Sequence, residues 1–236
     1  MKNEYDNKYN ELLTKCDLFS GVDEKRLDFL LSCLSSKICR YKKNEYIALE
    51  NEKFDGVGIV LNGEISIFKE NYKGVRTIMA NFKKGDMFGE IIAFAGTGIW
   101  PSTVFAQSDC EIMFVHPEKI LGICEKLCDS HRVLMANMTR IISKKALILN
   151  KKVEYLTIKS MKAKLAKYLL EQYKNTNSLT FTMPLNREAL ADFLNVSRPS
   201  MSRELCKMRD EGIIEFYRNA VRILNIDVLE EYKEIC

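Results

Sequence analysis

The chain has 236 residues, 47% hydrophobic and 29% charged, which is ordinary for a globular protein and long enough for two small domains or one large one. Four Pro and 11 Gly argue against long disordered linkers, and no apolar stretch approaches the length of a membrane span, so no membrane partner is expected. The net charge is only +4, but Lys159 to Arg222 holds 12 Lys/Arg against 7 Asp/Glu, so the basic C-terminal part suits a polyanionic partner.

The first ten residues, MKNEYDNKYN, lack the apolar run of a secretory signal, and the expected location is cytoplasmic. Eight Cys (16, 33, 39, 110, 124, 128, 206 and 236) are scattered, which suits reduced thiols rather than a disulfide framework. Residues 9–16 and 24–34 read as short amphipathic helices, with a turn at 19–23. From Ser36 the pattern changes to short alternating or apolar runs: 37–41, 45–48, 57–61, 64–69, 76–82, 102–106 and 111–115. Strands at this spacing predict a barrel or sandwich. Asn62-Gly63, between two of these runs, is the strongest hairpin signal in the chain.

Pro117 opens a helix with few breakers until about Tyr155. Leu127, Leu134, Ile141 and Ile148 recur every seven residues, and Met138, Ile142 and Leu149 widen the stripe. Such a stripe packs either on its own barrel or on another helix. The barrel needs only the first part, so the remainder predicts a homodimer. A hinge is expected at 155–159. Ser160 caps a helix over 161–173, whose Leu165, Tyr168 and Leu169 face one way; 174–178 is a polar loop and 179–182 a short strand.

Asn186 caps a helix over 187–194, Asn195 can turn a corner in a left-handed conformation, and Ser197 caps a second helix with Pro199 in its first turn. Met201, Leu205 and Met208 fall on an inward face; Arg198, Ser202, Arg203 and, at the flank, Lys207 fall on the other. Small Ala191 allows a close crossing, and Gly212 ends the second helix. A pair of this kind is either core packing with a solvated cationic face or a helix-turn-helix that enters a DNA major groove. The β-prone runs 213–217 and 221–224, joined near Arg218-Asn219-Ala220, predict a hairpin and favour a winged helix, with Arg218 and Arg222 beside phosphates. Residues 227–235 read as a short acidic helix.

Barrel, long helix and winged helix, in that order, resemble the cyclic-AMP receptor protein / fumarate-and-nitrate-reduction regulator (Crp/Fnr) family. The carriers are Asn62-Gly63, the run KGDMFGE at 84–90, the long helix and the run VSRPSMSR at 196–203. The resemblance implies an α+β fold: a cyclic-nucleotide-binding-like β-barrel (jelly roll) at 1–116 that senses an effector, a dimerisation helix and hinge at 117–156, and a winged-helix DNA-binding domain at 157–236. It implies that the effector sets the orientation of the DNA-binding domains. Double-stranded DNA and a second copy of the chain are the implied partners, with RNA polymerase as a further one.

The resemblance also places an effector pocket at Phe88, Gly89, Glu90, Trp100, Ser102 and Thr103. In members that bind cyclic AMP, the Phe-Gly-Glu element receives ribose and phosphate, and an Arg some ten residues on pairs with the phosphate. Here that position is Trp100, followed by Pro101, and no Lys or Arg lies between Glu90 and Val115. A phosphate beside Glu90 without a cation is unfavourable, so an effector other than cyclic AMP is expected. Trp100, Phe94 and Phe105 suit an apolar ligand or the barrel core. The alternatives are a cyclic-nucleotide-responsive regulator and a redox or metal sensor.

An iron–sulfur cluster needs four clustered ligands. Cys16, Cys33 and Cys39 are widely spaced, while Cys124 and Cys128 are one helical turn apart and only two. His116 and His131 could ligate haem or serve structure. No metal site is assigned. Base reading is carried onto Arg198, Ser202 and Arg203, a phosphate contact onto Ser200, and a flanking contact onto Lys207. Well-known members have Glu where Pro199 stands, so the half-site should differ from theirs. A two-fold dimer places recognition helices about 34 Å apart on a near-palindromic operator. Asp86 and Glu90 mimic a carboxylate pair, but no nucleophile–base set or metal-ligand spacing accompanies them, and no enzyme is expected.

Overall fold

The computed structural model describes residues 7–53, 56–122 and 129–234. Leu127, Cys124, Cys128 and Cys236 lie outside the described residues. The chain forms two compact units, residues 1–144 and 145–236.

In the first unit, α1 (Asn10–Thr14) and α2 (Glu24–Cys33) precede the strands β1 (Lys37–Tyr41), β2 (Tyr46–Ala48), β3 (Val57–Asn62), β4 (Glu64–Glu70), β5 (Arg76–Lys83) and β6 (Met87–Phe88). Then come α3 (Glu90–Ala95), β7 (Thr103–Ala106), β8 (Cys110–Val115) and α4 (Pro117–Leu121). The strands make two four-stranded sheets in the orders β1-β8-β3-β6 and β2-β7-β4-β5. β3 and β4 therefore lie in different sheets, and the hairpin expected at Asn62-Gly63 is instead a corner from one sheet to the other. Close approach explains the glycine at this corner. Gly63 has φ +85°, and a Cβ there would stand 2.4 Å from the carbonyl oxygen of Asp109. The corner needs a residue with no side chain as much as one with a left-handed backbone.

One apolar core gathers Leu13, Leu18, Phe19, Leu27, Leu30 and Leu31 of the N-terminal segments against Val57, Ile59, Leu61, Met113 and Val115 of the first sheet. A second core gathers Val60, Ile65, Phe88, Trp100, Val104 and Ile112 between the sheets. The long helix expected from Pro117 is interrupted: α4 ends at Leu121, Gly122 has extended and not helical geometry, and α5 spans Asp129–Thr157. Asn137 of α5 donates to the carbonyls of Leu18 and Ser20 at 3.0 and 2.7 Å, which ties this helix to the N-terminal turns.

The heptad stripe is also corrected. Leu134, Met138 and Ile141 are at most 8% exposed and belong to the first unit's own core, so they are not free for a partner. Their i, i+4, i+7 spacing reports burial but not what buries it. Ile148 and Leu149 are 63% exposed.

The second unit contains the end of α5, then α6 (Met161–Thr176), β9 (Thr180–Thr182), α7 (Arg187–Leu194), α8 (Arg198–Asp210), β10 (Ile214–Tyr217), β11 (Ala220–Ile223) and α9 (Ile226–Glu234). Ser160 caps α6 by accepting from the Ala163 N–H at 3.3 Å, and α6 runs into the loop expected at 174–178, ending at Thr176 with Asn177 as a left-handed cap. Tyr155, expected at a hinge, is instead fully buried in this unit's core, with its ring 5.0 Å from that of Phe193. Lys151 pairs with Glu171 at 2.6 Å and Glu154 pairs with Lys167, so the end of α5 is fastened to α6.

Replacing Gly63 with Ala should destabilise the first unit by about 2 kcal/mol or more, because both the backbone and the carbonyl contact resist a Cβ. A urea midpoint for Gly63→Ala equal to that of the unsubstituted protein would contradict this account of the corner.

Candidate nucleic-acid interface

The second unit builds its surface from local signals. Asn186 Oδ1 accepts from the N–H groups of Glu188 and Ala189 at 3.1 and 2.9 Å and starts α7. Asn195 ends it with φ +52°, while the N–H of Val196 returns to the carbonyl of Ala191 at 3.0 Å. The last carbonyl of α7, that of Leu194, accepts at 3.0 Å from the ammonium of Lys164 on α6, a buried lysine. A cation at a helix C-terminus meets the negative end of the dipole, which offsets part of the cost of its burial. The geometry of the turn is thus held from beneath.

Ser197 then caps α8, accepting from the Ser200 N–H at 3.3 Å, with Pro199 in the first turn. Met201, Leu205 and Met208 are fully buried with Leu165, Leu169, Leu190 and Leu194. Their burial fixes the rotation of α8 about its axis. The opposite face presents Arg198, Arg203 and Lys207 to solvent, with Ser200, Ser202 and Cys206 half-buried among them. Ser202, Arg203, Cys206 and Lys207 line an open groove with Asp210 and Glu211.

The two acids that share this groove are each paired with a cation elsewhere. Asp210 is taken by Arg209 at 2.8 Å and Glu211 by Lys162 at 3.0 Å, and the Lys162 partner holds the Glu211 carboxyl below its usual range. Among the described residues, Arg198, Arg203 and Lys207 make no ion pair. Arg203 Nη2 donates to Ser200 Oγ at 3.2 Å. Five residues carried forward as DNA contacts therefore share one helix, four on its outer side and Ser200 at its first turn.

The wing pairs β10 with β11, with Glu215 opposite Arg222, and β9 completes the sheet beside β11. Arg218 turns the corner at φ +54° and lies over the exposed Tyr217 ring at 5.5 Å.

Two groups here escape sequence reasoning. Lys164 has a partner in a distant element, which no helical period reveals. Arg187 lies over Phe216 at 4.7 Å, with Arg209 5.6 Å from the same ring, and burial lowers the Arg187 pKa. Seeing the pair requires the β10 register, which brings Phe216 between two helices.

Of its candidate pocket residues, the first unit brings Phe88 and Trp100 together. Phe88 stands 5.9 to 6.1 Å from Phe82, Trp100 and Phe114, ring centre to ring centre, and its ring fills the space where Gly58 lacks a side chain: a Cβ there would be 2.3 Å from Phe88 Cζ. Phe88 and Trp100 are thus buried together in the core between the sheets. Gly89 precedes α3 with φ +81°, and Glu90 is buried in the first turn. Ser102 and Thr103 are buried, and Thr103 Oγ1 accepts from the Glu50 N–H at 3.2 Å. The aromatics do not converge: Phe94 packs on one core, Trp100 belongs to the other, and Phe105 meets Tyr46 and Phe68.

Burial pushes the Cys16 thiol up and Cys110 up to about 11, which makes both poor ligands. Among the described residues, no group of three or more His, Cys, Asp or Glu could hold a metal ion. His131 is buried on α5, and His116 precedes α4 with Nδ1 3.9 Å from Glu118. No helix of the described residues is long and apolar enough to cross a membrane.

Two family models match, in order along the chain. Residues 38–127 match the cyclic nucleotide-binding domain and 163–232 the Crp-like helix-turn-helix domain. The chain is 26% identical to "Probable transcriptional regulator flp" of Lacticaseibacillus casei over 74% of its length and 77% of that protein's. It is 20% identical to the cyclic AMP receptor protein of Thermus thermophilus over 91% of this chain and 95% of that one. The crystal structure of the Thermus thermophilus catabolite activator protein shares the fold, at a TM-score of 0.52 and 20% identity, covering 92% of this chain and 98% of that one.

Proposed function

We propose that this chain, which belongs to the Crp/Fnr family of transcription regulators, reads a near-palindromic operator as a homodimer under the control of an effector other than cyclic AMP. The observation that carries DNA reading is the exposed row Arg198, Arg203 and Lys207, without an ion pair among the described residues, on a helix whose opposite face is locked into the core. An Arg fork matches guanine O6 and N7 in the major groove, and Lys207 serves a phosphate. Arg218 and Arg222 of the wing extend the cationic surface.

The dimer reading rests on the C-terminal part of α5. Ala146, Leu149, Val153 and Leu156 recur at i, i+3, i+7 and i+10 and are exposed. That is the spacing of a two-helix seam, and it runs beside Ile148 rather than through it. A second copy laying the same seam against this one buries both.

The effector reading rests on charge. The segment from Glu90 to Val115 supplies no cation, and Trp100 is buried against Phe88 where an Arg would meet a phosphate. The match to the cyclic nucleotide-binding domain supports the competing reading, a cyclic nucleotide in this barrel.

Three measurements test these readings. Arg203→Ala should weaken binding to duplexes that the full-length protein selects from a randomised pool by about tenfold or more, while binding to unselected DNA changes little; equal binding to selected and unselected DNA by the unsubstituted protein would end the DNA-reading proposal. Leu149→Glu should sediment as a monomer where the parent sediments as a dimer, and a monomeric parent would remove the seam. Millimolar cyclic AMP should leave the melting temperature unchanged, whereas a ligand at a hundred times its Kd adds about 2.7 kcal/mol and a rise of several degrees. Such a rise would favour the cyclic nucleotide.

A further inference from the structure

The first turn of α8 contains a chain of side-chain hydrogen bonds that ordinary capping does not require. Ser197 Oγ accepts from the Ser200 N–H at 3.3 Å, which is the cap itself. Ser197 Oγ also donates to Ser200 Oγ at 2.8 Å, and Arg203 Nη2 donates to the same oxygen at 3.2 Å. A serine hydroxyl has one donor hydrogen and two acceptor positions. Both acceptor positions of Ser200 are taken, so it has only its hydrogen to give to another molecule.

Arg203 is an exposed, rotamer-rich side chain whose freedom would be lost on meeting a base. Its one bond to Ser200 leaves four of its five N–H groups, enough for a two-pronged contact with guanine. Arg198 and Lys207, on the same face, have no such brace among the described residues.

We propose that Ser200 is a specificity-determining positioning residue: through the Ser197–Ser200–Arg203 chain it sets the Arg203 fork before DNA arrives. The proposal rests on the DNA-reading proposal above and deepens it. A serine at this turn that served only a phosphate would strengthen binding to every sequence alike. A serine that aims Arg203 strengthens binding to one base at one position of each half-site, because the ordering cost of the side chain is met beforehand.

The test is selection of duplexes from a randomised pool by the full-length protein and by its Arg203→Ala, Ser200→Ala, Ser200→Thr and Ser200→Val variants, followed by salt titration on the selected duplex. Thr and Val have nearly the same shape and differ in the hydroxyl. Arg203→Ala identifies the position that this arginine reads. Ser200→Ala and Ser200→Val should reduce preference at that position by about two- to tenfold, the cost of immobilising one long side chain. The other positions and the salt slope should not change, and Ser200→Thr should keep the preference. The proposal is overturned if Ser200→Val keeps the preference at the Arg203 position. It is also overturned if both hydroxyl-free variants weaken binding evenly at all positions, the mark of a lost phosphate contact, with the salt slope unchanged because serine carries no charge. If Arg203→Ala leaves the selected sequence unchanged, or the parent selects none, DNA reading by this arginine fails and the Ser200 role falls with it. Equal melting temperatures for the Thr and Val variants separate all of these outcomes from misfolding.

Discussion

The rotation of α8 about its own axis is the constraint on which the proposed activity depends. Met201, Leu205 and Met208 are sunk among leucines from α6 and α7, and a helix cannot turn without withdrawing all three. Arg198, Arg203 and Lys207 are therefore fixed in azimuth by apolar packing on the far side. The buried Lys164 ammonium adds a second restraint, holding the end of α7 where the chain reverses. Both restraints act on backbone geometry, so the charged face needs no internal ion pairs to keep it in place.

How much of this was legible in the sequence varied with the range of the signal. The turn between α7 and α8 was readable to the residue because Asn186, Asn195, Ser197 and Pro199 each act within four residues of themselves. Strand positions in the barrel were readable for the same reason, since alternation is local. Pairing was not. Asn62-Gly63 has the composition of a hairpin turn, yet the chain changes sheets there, and the glycine is required by the close carbonyl of Asp109, distant in sequence. The α5 stripe failed in a related way: Leu134 and Leu149 both satisfy a helical period, but the first meets its own core and the second meets solvent.

The barrel shows how one substitution of type propagates. Gly58 gives up its side chain so that Phe88 can lie against β3, and Phe88 then meets Phe82, Trp100 and Phe114 at once. Aromatic faces packed this way contribute both burial and ring–ring attraction. A glycine and a tryptophan that look unrelated in the sequence are thereby parts of one contact. The rings of Phe82, Phe88, Trp100 and Phe114 thus form one packed group in the core between the sheets.

The fastening of Tyr155 to the second unit has a practical consequence. Tyr155 is a fully buried member of that core, against Phe193 of α7, and Lys151 and Glu154 are paired with α6. A fragment cut at residue 157 would leave a hole where an aromatic ring belongs, and the helix-turn-helix would lose part of its floor. The smallest transplantable reading head therefore carries the last turns of α5 with it. In a chimera with a foreign sensory module, the join belongs upstream of Lys151, inside a continuous helix, where heptad phase across the splice becomes a design variable in its own right.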